Sequence, residues 1–568
     1  MTVTSFAQNR FKRVVYSLLL VLLFTAFNSN AQTAEKPFRL PMQDAPGANT
    51  WLLGQPYGNT IGAFLRGDEW YSAGQRLHFG LDFSMPCNTP LVAIGDGEVI
   101  FVDNLGFGSA PHNLLIRHDA GFVSLYGHLS GRAPVAVGQR VTAGELVAYS
   151  GDPDLTCTSR PHLHFELRSL DYGTTYNPVE YINANWDMLA SIGSFRYPVF
   201  QQDLDNVRRW TQLDDQPIVT FGGQALNRYA APYPDYRAGQ PLDNPPLLNT
   251  AAPLGETAIA TLRKLGTPGC CVGSKWHPTN ASWLYGLDGA TNQRASIFRW
   301  NVAANDAIEP IGQAPQPFTS ADGTHVISRL NDSEFRIQQL GDDGSTIVAE
   351  FGVNTGGAFP SLSADNSKIV FLVQPEDDNP DAPTSLWVAD KDGSNARVLL
   401  ADNGVSARWL DANRLLVSRR EEQVTRLEIL DTTNDSGFII GEWQRLRGMS
   451  IAPGGGRLMF YVSNQPDPML SGVYTVETTQ GAILQQMRWF GAWLWRDADS
   501  VFYLPFNPIS AVHTLHHYDL VSGTDRPLTD PTTQAFAVGN GDWSVSADGS
   551  TIAFWNALDD ATWVIGVE

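Results

Sequence analysis

A degenerate repeat in the C-terminal half of the chain is the feature that most constrains its fold. Each copy has a short strand, a tight Ser-x-Asp-Gly-like turn and an alternating apolar strand. The clearest copies occupy 360–371 and 543–554, and weaker copies run through 319–327 and 450–460. A spacing of roughly 40 to 50 residues is typical of a unit of four strands. The repeat therefore predicts a series of similar antiparallel sheets.

The composition favours the same fold class. The 568 residues include 51 Gly and 35 Pro, and 11% are aromatic. Turn-forming and aromatic residues are typical of short strands joined by turns, whereas a helical bundle is disfavoured. Because 43% of residues are hydrophobic and only 17% are charged, the chain is expected to be folded rather than disordered. We therefore predict an all-β protein.

The repeat resembles the blades of TolB-like and WD-like β-propellers over residues 271–568. The resemblance implies a C-terminal propeller of about six or seven blades. Residues 186–270 are rich in Pro and have few periodic runs, so they are expected to form a connector that either stands alone or contributes to the propeller. Such propellers more often bind than catalyse, and a protein or cell-wall partner is expected.

The N-terminus predicts export. Basic residues at 10–13 precede an apolar run over 14–27, and Ser29-Asn30-Ala31 offers a small-x-small cleavage site. This pattern is typical of a signal peptide over 1–31. A retained anchor is the alternative, but the run is shorter than the ~20 apolar residues that span a bilayer. We expect a secreted or periplasmic protein with no membrane span after cleavage.

The net charge of -21, from 38 Lys and Arg against 59 Asp and Glu, disfavours nucleic acid as a partner, because non-specific binding to it requires a basic surface. The four cysteines of an exported chain predict disulfides. Cys87 and Cys157 are candidates for one bridge, while the adjacent Cys270 and Cys271 form either a second bridge or free thiols. A zinc site built from cysteines is disfavoured, since no Cys-x-x-Cys pair occurs.

Six of the 11 histidines lie between His78 and His164, in recognisable spacings. In the His78-Phe79-Gly80-Leu81-Asp82 segment, strand alternation would place His78 and Asp82 on one face with Gly80 leaving room between them. The same period of two directs His162 and His164 to one face of a second strand. A zinc hydrolase takes three such ligands and keeps one position open, so these motifs supply a ligand set.

A third motif, Tyr126-Gly127-His128-Leu129, places His128 at the end of an alternating stretch, facing a cleft. Together, HFGLDF, YGHLS and PHLHFE strongly resemble the lysostaphin-type zinc peptidases, also called LytM-type or Gly-Gly endopeptidases. The resemblance runs from about Tyr57 to Glu180 and implies an antiparallel peptidase domain over 45–185.

The resemblance also implies a role for each of these residues. Zinc is expected to be held by His78, Asp82 and His164, while His128 and His162 flank the metal-bound water as the catalytic pair. Zinc lowers the pKa of bound water toward about 7. One imidazole would move the water proton to the leaving amine and the other would stabilise the oxyanion; which does which stays open.

Several polar residues near these motifs have both a functional and a structural interpretation. His118 is either a support for the site or a residue on the surface of a strand, and His112 is expected in a loop. Asn113 either faces the cleft, as an Asn of the family does, or serves the turn before a strand. Glu166, two places beyond His164, either orients that ligand or is a solvated carboxylate.

Two departures from the family pattern bear on specificity. Asn88 stands where relatives have Gly, and Asn tolerates left-handed turn geometry, so the fold is expected to survive. Arg160 stands where a Gly commonly precedes the Pro-His-x-His motif. It narrows a substrate subsite, pairs with a stem-peptide carboxylate, or is an ordinary exposed loop arginine.

The leading hypothesis is therefore a secreted zinc metalloendopeptidase that cleaves stem or cross-bridge peptides of peptidoglycan, with the propeller as a targeting or regulatory platform. One alternative is a non-catalytic LytM-type binding or activator protein. The complete set of His and Asp residues favours the enzyme. Another alternative is a zinc peptidase that cleaves proteins presented by the propeller.

Overall fold

The computed structural model describes most of the chain beyond the N-terminus. The described residues are 36–192 except 61 and 64–65, then 201–202, 210–226, and 251–567 except 253, 256–258, 266–272, 278, 289–295, 305–308, 313–323, 331–332, 340–345, 351–359, 374–382, 403 and 422–423. The predicted signal peptide and the Cys270-Cys271 pair lie outside these residues.

The N-terminal region is built on one antiparallel sheet of nine strands, in the order β1-β2-β9-β6-β5-β4-β7, with β10 pairing β9 and β13. Two small antiparallel pairs, β3 with β8 and β11 with β12, accompany it. The strands are β1 Leu52–Leu53, β2 Leu81–Ser84, β3 Pro90–Val92, β4 Gly97–Val102, β5 Leu114–His118, β6 Val123–Gly127, β7 Arg140–Val141, β8 Leu146–Tyr149, β9 His162–Arg168, β10 Thr174–Tyr176, β11 Gln201–Gln202, β12 Trp210–Thr211 and β13 Val219–Thr220.

Strand β9 lies in the middle of this sheet because its apolar residues are buried on one face. Leu163, Phe165 and Leu167 are fully buried and join one core cluster with Trp51 and Phe83. Alternation then directs the intervening polar residues of β9 to the opposite face. The architecture thus presents the polar face of the central strands to the candidate site.

Two short α-helices follow the sheet, α1 Pro178–Tyr181 and α2 Trp186–Ser191. Each begins at an asparagine: Asn177 accepts a hydrogen bond from the amide of Val179, and Asn185 accepts one from Met188. Such caps satisfy amides that lack an intrahelical partner. The described residues also form 3-10 helices at Leu105–Phe107, Pro453–Gly455 and Pro468–Leu470. Across the described residues, no helix has the length and apolarity needed to cross a bilayer.

Consecutive strands form seven separate sheets in the C-terminal region, six of four strands and one of three within the described residues. The first, β14-β40-β39-β38, joins both ends of the region. The others are β15–β18, the three-stranded β19–β21, β22–β25, β26–β29, β30–β33 and β34–β37.

All neighbouring strands in these sheets are antiparallel, as the repeat predicts. Their bounds are β14 Ala260–Lys264, β15 Lys275–Trp276, β16 Trp283–Asp288, β17 Ser296–Asn301, β18 Glu309–Gly312, β19 His325–Arg329, β20 Glu334–Gln339, β21 Thr346–Glu350, β22 Ser361–Leu362, β23 Lys368–Val373, β24 Thr384–Asp390, β25 Arg397–Asp402, β26 Val405–Trp409, β27 Arg414–Glu421, β28 Val424–Asp431, β29 Gly437–Gln444, β30 Leu446–Ile451, β31 Arg457–Val462, β32 Gly472–Glu477, β33 Gln485–Gln486, β34 Gly491–Trp495, β35 Ser500–Pro505, β36 His516–Asp519, β37 Asp525–Pro527, β38 Val538–Val545, β39 Thr551–Asn556 and β40 Ala561–Val567.

The two clearest repeat copies have the same turn. Asp365 Oδ1 accepts from Ser363 Oγ at 2.7 Å, and Asp548 Oδ1 accepts from Ser546 Oγ at 2.7 Å. In both copies the first serine then accepts from the amide that opens the next strand, at 3.0 Å. Side-chain hydrogen bonds of this kind fix the turn, so the sequence repeat is also a structural repeat.

The segment expected to be a connector contributes to both regions. Val219 of β13 is fully buried in the N-terminal core, and β14 pairs with β40 over five residues. The two regions are also in direct contact, because Leu52 and Ile192 pack in one cluster with Met459 and Tyr461 of β31. The prediction of a mainly β protein is therefore confirmed. In the described structure the two regions pack against each other and are not isolated modules.

Candidate metal centre

Three predicted ligands meet where β2 and β9 pair. In the register, Asp82 lies opposite His164. Asp82 Oδ1 is 2.8 Å from His164 Nδ1 and 3.4 Å from His78 Nε2, and the two imidazole nitrogens are 3.3 Å apart. Among the described residues, this trio is the group of His, Cys, Asp or Glu with a geometry that could hold a metal ion.

His78 reaches the trio by a route that the strand argument did not predict. Strand β2 begins only at Leu81, and the chain bends at Gly80. His78 instead exchanges backbone hydrogen bonds with Gly58, at 2.7 and 2.9 Å. The expectation of one continuous strand over 78–82 was therefore wrong: the bend, and not alternation, brings the imidazole to Asp82.

Gly80 has the spatial role that the sequence predicted. A Cβ at this position would lie 2.7 Å from His164 Cε1 and 2.7 Å from the carbonyl oxygen of Phe165. Real Cβ atoms do not approach other atoms so closely because packed interiors leave no such overlap. The missing side chain thus allows His164 to lie beside His78.

Outer hydrogen bonds fix both ligand imidazoles. His78 Nδ1 lies 2.6 Å from the carbonyl oxygen of Pro56, and His164 Nε2 lies 3.3 Å from Glu166 Oε1. With a metal ion bound, a proton on the nitrogen that faces each outer partner would leave Nε2 of His78 and Nδ1 of His164 to face the metal. Two imidazoles and a carboxylate, each free to offer a lone pair, fit zinc.

Glu166 belongs to this arrangement and is not a solvated carboxylate. Its side chain is fully buried, and its second oxygen accepts from Arg168 Nε at 2.6 Å. Burial by itself would raise the pKa of Glu166, but the charge of Arg168 and the hydrogen bond from His164 hold it below its ordinary value. Glu166 therefore stays ionised and orients His164.

The other two histidines of the sequence motifs, His128 and His162, lie side by side at the same cleft. Their ring centroids are 4.9 Å apart, and His162 Nε2 is 3.8 Å from Asp82 Oδ1. Each Nδ1 lies 2.5 Å from a backbone carbonyl oxygen, of Ala110 for His128 and of Arg160 for His162. With Nδ1 of each ring held on a backbone carbonyl oxygen, Nε2 is the nitrogen left for the cleft.

The charges of the site are strongly coupled. Burial disfavours the carboxylate of Asp82, yet the adjacent His78 and His162 and the hydrogen bond from His164 hold its pKa well below the ordinary value. Burial, together with the nearby His162 and His164, lowers the pKa of His128 to about 3. His128 is thus neutral at physiological pH, as a proton acceptor must be.

The remaining predicted residues lie outside the ligand group. His118 is buried and not on the strand surface: its ring contacts the carbonyl oxygen of Gly95 and Ser124 Oγ, at 3.0 and 2.7 Å. His112 lies in a loop against Asp103. Asn113 donates to the carbonyl oxygens of residues 104 and 108, which is the turn reading.

The two family departures are accommodated at the rim. Asn88 has the left-handed φ of 64° that a Gly would adopt, so the fold survives as expected. Arg160 is exposed beside the catalytic strand, with its guanidinium 5.0 Å from the ring centroid of Trp70. The disulfide predicted between Cys87 and Cys157 is formed, and it ties the loop before Arg160 to the segment after β2.

Sequence reasoning missed residues that come from the segment upstream of the first motif. Tyr71 packs edge-on against His78, with ring centroids 5.6 Å apart, and donates to Gln55 Oε1 at 3.2 Å. Burial and the nearby Asp82 raise the pKa of Tyr71 to about 12. This segment has no ligand spacing, so only the aromatic residues next to a polar motif could have drawn attention to it.

Comparison with known proteins identifies the N-terminal region. Residues 76–178 match the profile of Peptidase family M23. The chain is 32% identical over 109 residues to the glycyl-glycine endopeptidase ALE-1 of Staphylococcus capitis, covering 19% of this chain and 29% of that protein. It is 34% identical over 115 residues to the peptidoglycan DD-endopeptidase ShyA of Vibrio cholerae, covering 20% and 24%. The chain thus spans less than a third of these relatives.

Solved structures resemble each region separately. The catalytic domain of lysostaphin from Staphylococcus simulans is 24% identical and covers 23% of this chain and 90% of that one, with a TM-score of 0.19. A TolB-type protein from Agrobacterium tumefaciens is 12% identical and covers 46% and 94%, with a TM-score of 0.28.

The profile match spans all three histidine motifs, and the ligand trio lies inside it. The resemblance drawn from HFGLDF, YGHLS and PHLHFE is therefore confirmed for this region. The chain carries a metallopeptidase domain of family M23, with His78, Asp82 and His164 as its candidate metal ligands.

Proposed function

We propose that this protein is an extracytoplasmic zinc metalloendopeptidase that hydrolyses peptide bonds in the stem or cross-bridge peptides of peptidoglycan. The observation that carries the proposal is the convergence of five side chains on one cleft. Three of them, His78, Asp82 and His164, offer ligand atoms within 4.8 Å of one another, and His128 and His162 lie beside them. The wall substrate is supported by the relatives named endopeptidases of glycyl-glycine bonds and of peptidoglycan.

The ligand residues and the second histidine pair divide the chemistry. When bound, zinc would acidify a water molecule and polarise the scissile carbonyl group. His128 and His162 each keep Nδ1 on a backbone carbonyl, so Nε2 is free to accept the proton of the attacking water. The imidazolium formed in this way then donates through the same Nε2 to the leaving nitrogen, and the neighbouring histidine, when its Nε2 is also protonated, would donate to negative charge on oxygen.

The C-terminal sheets are proposed to form a β-propeller of six or seven blades over residues 271–568 that holds the substrate or a wall or protein partner. Support comes from six described sheets of consecutive strands and from a seventh in which β14 pairs with β40, which joins the two ends of the region. Export through a signal peptide over 1–31 and a peptidase unit over 45–185 complete the proposal. The formed disulfide supports an oxidising compartment.

A direct digestion assay tests the proposed function. The zinc-loaded mature protein is incubated with purified peptidoglycan and, separately, with an unfolded protein, each with and without a chelator, and new termini are identified by mass spectrometry. We expect chelator-sensitive termini in peptidoglycan. New termini only in the protein would favour a protein peptidase, and no termini in either would favour a non-catalytic binding protein. The His162→Ala variant controls for a contaminating hydrolase.

A further inference from the structure

A cleft next to the metal centre is lined by both regions of the molecule. The N-terminal region contributes the end of β2 and the loop before β9, and the C-terminal region contributes β27, β28, β30 and the turns beside them. The lining residues are Ser84, Met85, Ser159, Arg160, Pro161, Arg420, Thr425, Arg445, Leu446, Arg447 and Asn464. We call this the arginine cleft.

The arginine cleft is cationic in a strongly acidic protein. Its described lining includes four arginines and no Asp or Glu, although the chain has a net charge of -21. Three of the arginines, Arg420, Arg445 and Arg447, come from the C-terminal sheets. Positive side chains gathered in one place on an acidic protein create a local electric field that attracts anions.

Two hydrogen bonds link Arg445 to the N-terminal region through Asn464. Arg445 donates from Nη1 to the carbonyl oxygen of Asn464 at 3.1 Å, and the amide of Asn464 donates to the carbonyl oxygen of Ala48 at 2.7 Å. Arg445 is also the single residue between β29 and β30, with a left-handed φ of 54°. An arginine in this conformation costs stability relative to glycine.

The arginines also repel one another. Desolvation and the charge of Arg447 both lower the pKa of Arg420 and of Arg445. Like charges held close together are stabilised by an anion that contacts them jointly.

The cleft continues the metal-binding face of the sheet. Asp82 and Ser84 alternate onto the same face of β2, and Ser84 lies opposite His162 in the register. Ser84 lies two positions after Asp82 in the strand, which is roughly 7 Å along the sheet. An extended substrate whose scissile bond lies at the metal would therefore place a group one or two residues away in the cleft.

We propose that the arginine cleft binds a carboxylate of the substrate peptide, one or two residues from the scissile bond. Arginine forks match a planar carboxylate with paired hydrogen bonds, and stem peptides of peptidoglycan carry free carboxylates. This inference rests on the proposed function and adds the C-terminal region to the substrate site. It also gives Arg160 its use, because this exposed arginine lines the cleft from the peptidase side.

Binding of native and amidated muropeptides tests the inference. Cross-linked muropeptides released by a muramidase are used as such or after conversion of their carboxylates to carboxamides. Binding to the full-length, zinc-loaded His162→Ala protein is measured by calorimetry, so that turnover does not interfere. We expect the native form to bind about tenfold more tightly than the amidated form, since hydrogen bonds to a charged group are the stronger ones.

Single substitutions localise the effect. Adding Arg447→Gln or Arg420→Gln should bring the ratio of the two affinities toward one, whereas Arg426→Gln should leave the ratio in place. Arg426 is the matched control because it is an exposed arginine of β28 that pairs with Glu442 at 2.6 Å and does not line the cleft. Melting temperatures verify that each variant is folded, and Arg420, being exposed, serves if the Arg447 variant does not fold.

The outcomes separate this inference from the proposed function. Equal binding of native and amidated muropeptides, or a ratio that Arg447→Gln and Arg420→Gln leave intact, overturns the carboxylate site even if peptidoglycan is cleaved. Conversely, a ratio that depends on these arginines supports the site even if no chelator-sensitive cleavage of peptidoglycan is found, which would overturn only the proposed function.

Discussion

The histidines of the N-terminal region and those of the C-terminal region form two contrasting groups. In the first, four of six side chains converge on a single cleft: His78, His128, His162 and His164. In the second, five histidines occur along residues 277–517, and within the described structure none of them joins a group that could hold a metal. The two regions are similarly rich in strands, so residue type and fold class alone do not make a site.

Local partners explain the difference. His277 Nδ1 accepts from the amides of residues 279 and 280, which makes it part of a turn. His513 Nδ1 accepts from the amide of Val538, and His516 Nδ1 lies 3.0 Å from Asp525 Oδ1. In the N-terminal region, by contrast, neighbouring strands in register bring polar residues face to face, as with Asp82 and His164. A site arises where the register of adjacent strands superimposes motifs that are distant in sequence.

Loss of a ligand is the largest effect that the comparison predicts. His164→Ala should remove the bound zinc and abolish hydrolysis, because the remaining two side chains do not complete a three-ligand site. His516→Ala, in the C-terminal group, should keep one zinc per chain and full activity. Metal analysis of the purified proteins, with peptidoglycan digestion, checks both. Zinc retained by His164→Ala, or by His78→Ala or Asp82→Ala, would contradict the ligand assignment.

The second effect separates proton transfer from metal binding. His128→Ala or His162→Ala should lower kcat by roughly 10²- to 10⁴-fold, the range associated with a positioned general acid or base, while zinc stays bound. Zinc should stay bound because Nδ1 of each ring contacts a backbone carbonyl oxygen and neither ring is one of the three expected ligands. Steady-state kinetics and metal content are measured on the same preparation. If these variants lose zinc, the two histidines belong to the ligand set instead.

The third effect concerns the support of a ligand. Glu166→Gln removes the charge beside His164 and leaves Arg168 without its carboxylate partner. Zinc affinity should fall roughly 10- to 100-fold, as for other residues that orient a metal ligand. Competition with a chelator of known affinity measures the change. Glu98→Gln, on β4 of the same sheet, is the control, and equal zinc affinities in the two variants would show that Glu166 has no orienting role.

The motifs predicted these contacts unevenly, for physical reasons. His162 and His164 were predictable because strand alternation is local and extends through β9. The route of His78 was not, because it depends on a bend at Gly80 and on pairing with Gly58, which lies 20 residues earlier and belongs to no motif. The burial of Glu166 was equally hidden, since a carboxylate two places beyond a ligand has the same spacing whether it is solvated or paired.

In the C-terminal region, the sequence predicted repeated sheets because each turn of the repeat forms hydrogen bonds among its own residues. The Ser363 and Asp365 hydrogen bond lies within one turn, so the pattern survives in the sequence. The arginine cleft has no such signature. Its residues come from β2, β27 and β30, and their proximity depends on how the two regions pack, as in the contact between Asn464 and Ala48. Contacts between the two regions therefore cannot be predicted from local sequence patterns.

The smallest expected effect concerns His118, a histidine outside the metal centre, and does not involve the catalytic residues. Burial lowers the pKa of His118 from 6.5 to about 4, so this side chain is neutral in the folded protein and gains a proton on unfolding below pH 6.5. The unfolded state then binds more protons, and the stability that the neutral imidazole contributes above pH 6.5 is lost as the pH falls toward 4. Between pH 7.5 and pH 5 the free energy of unfolding should drop about 2 kcal/mol more in the wild type than in His118→Gln. Urea unfolding at both pH values measures this, and equal drops in the two proteins would contradict a buried, neutral His118.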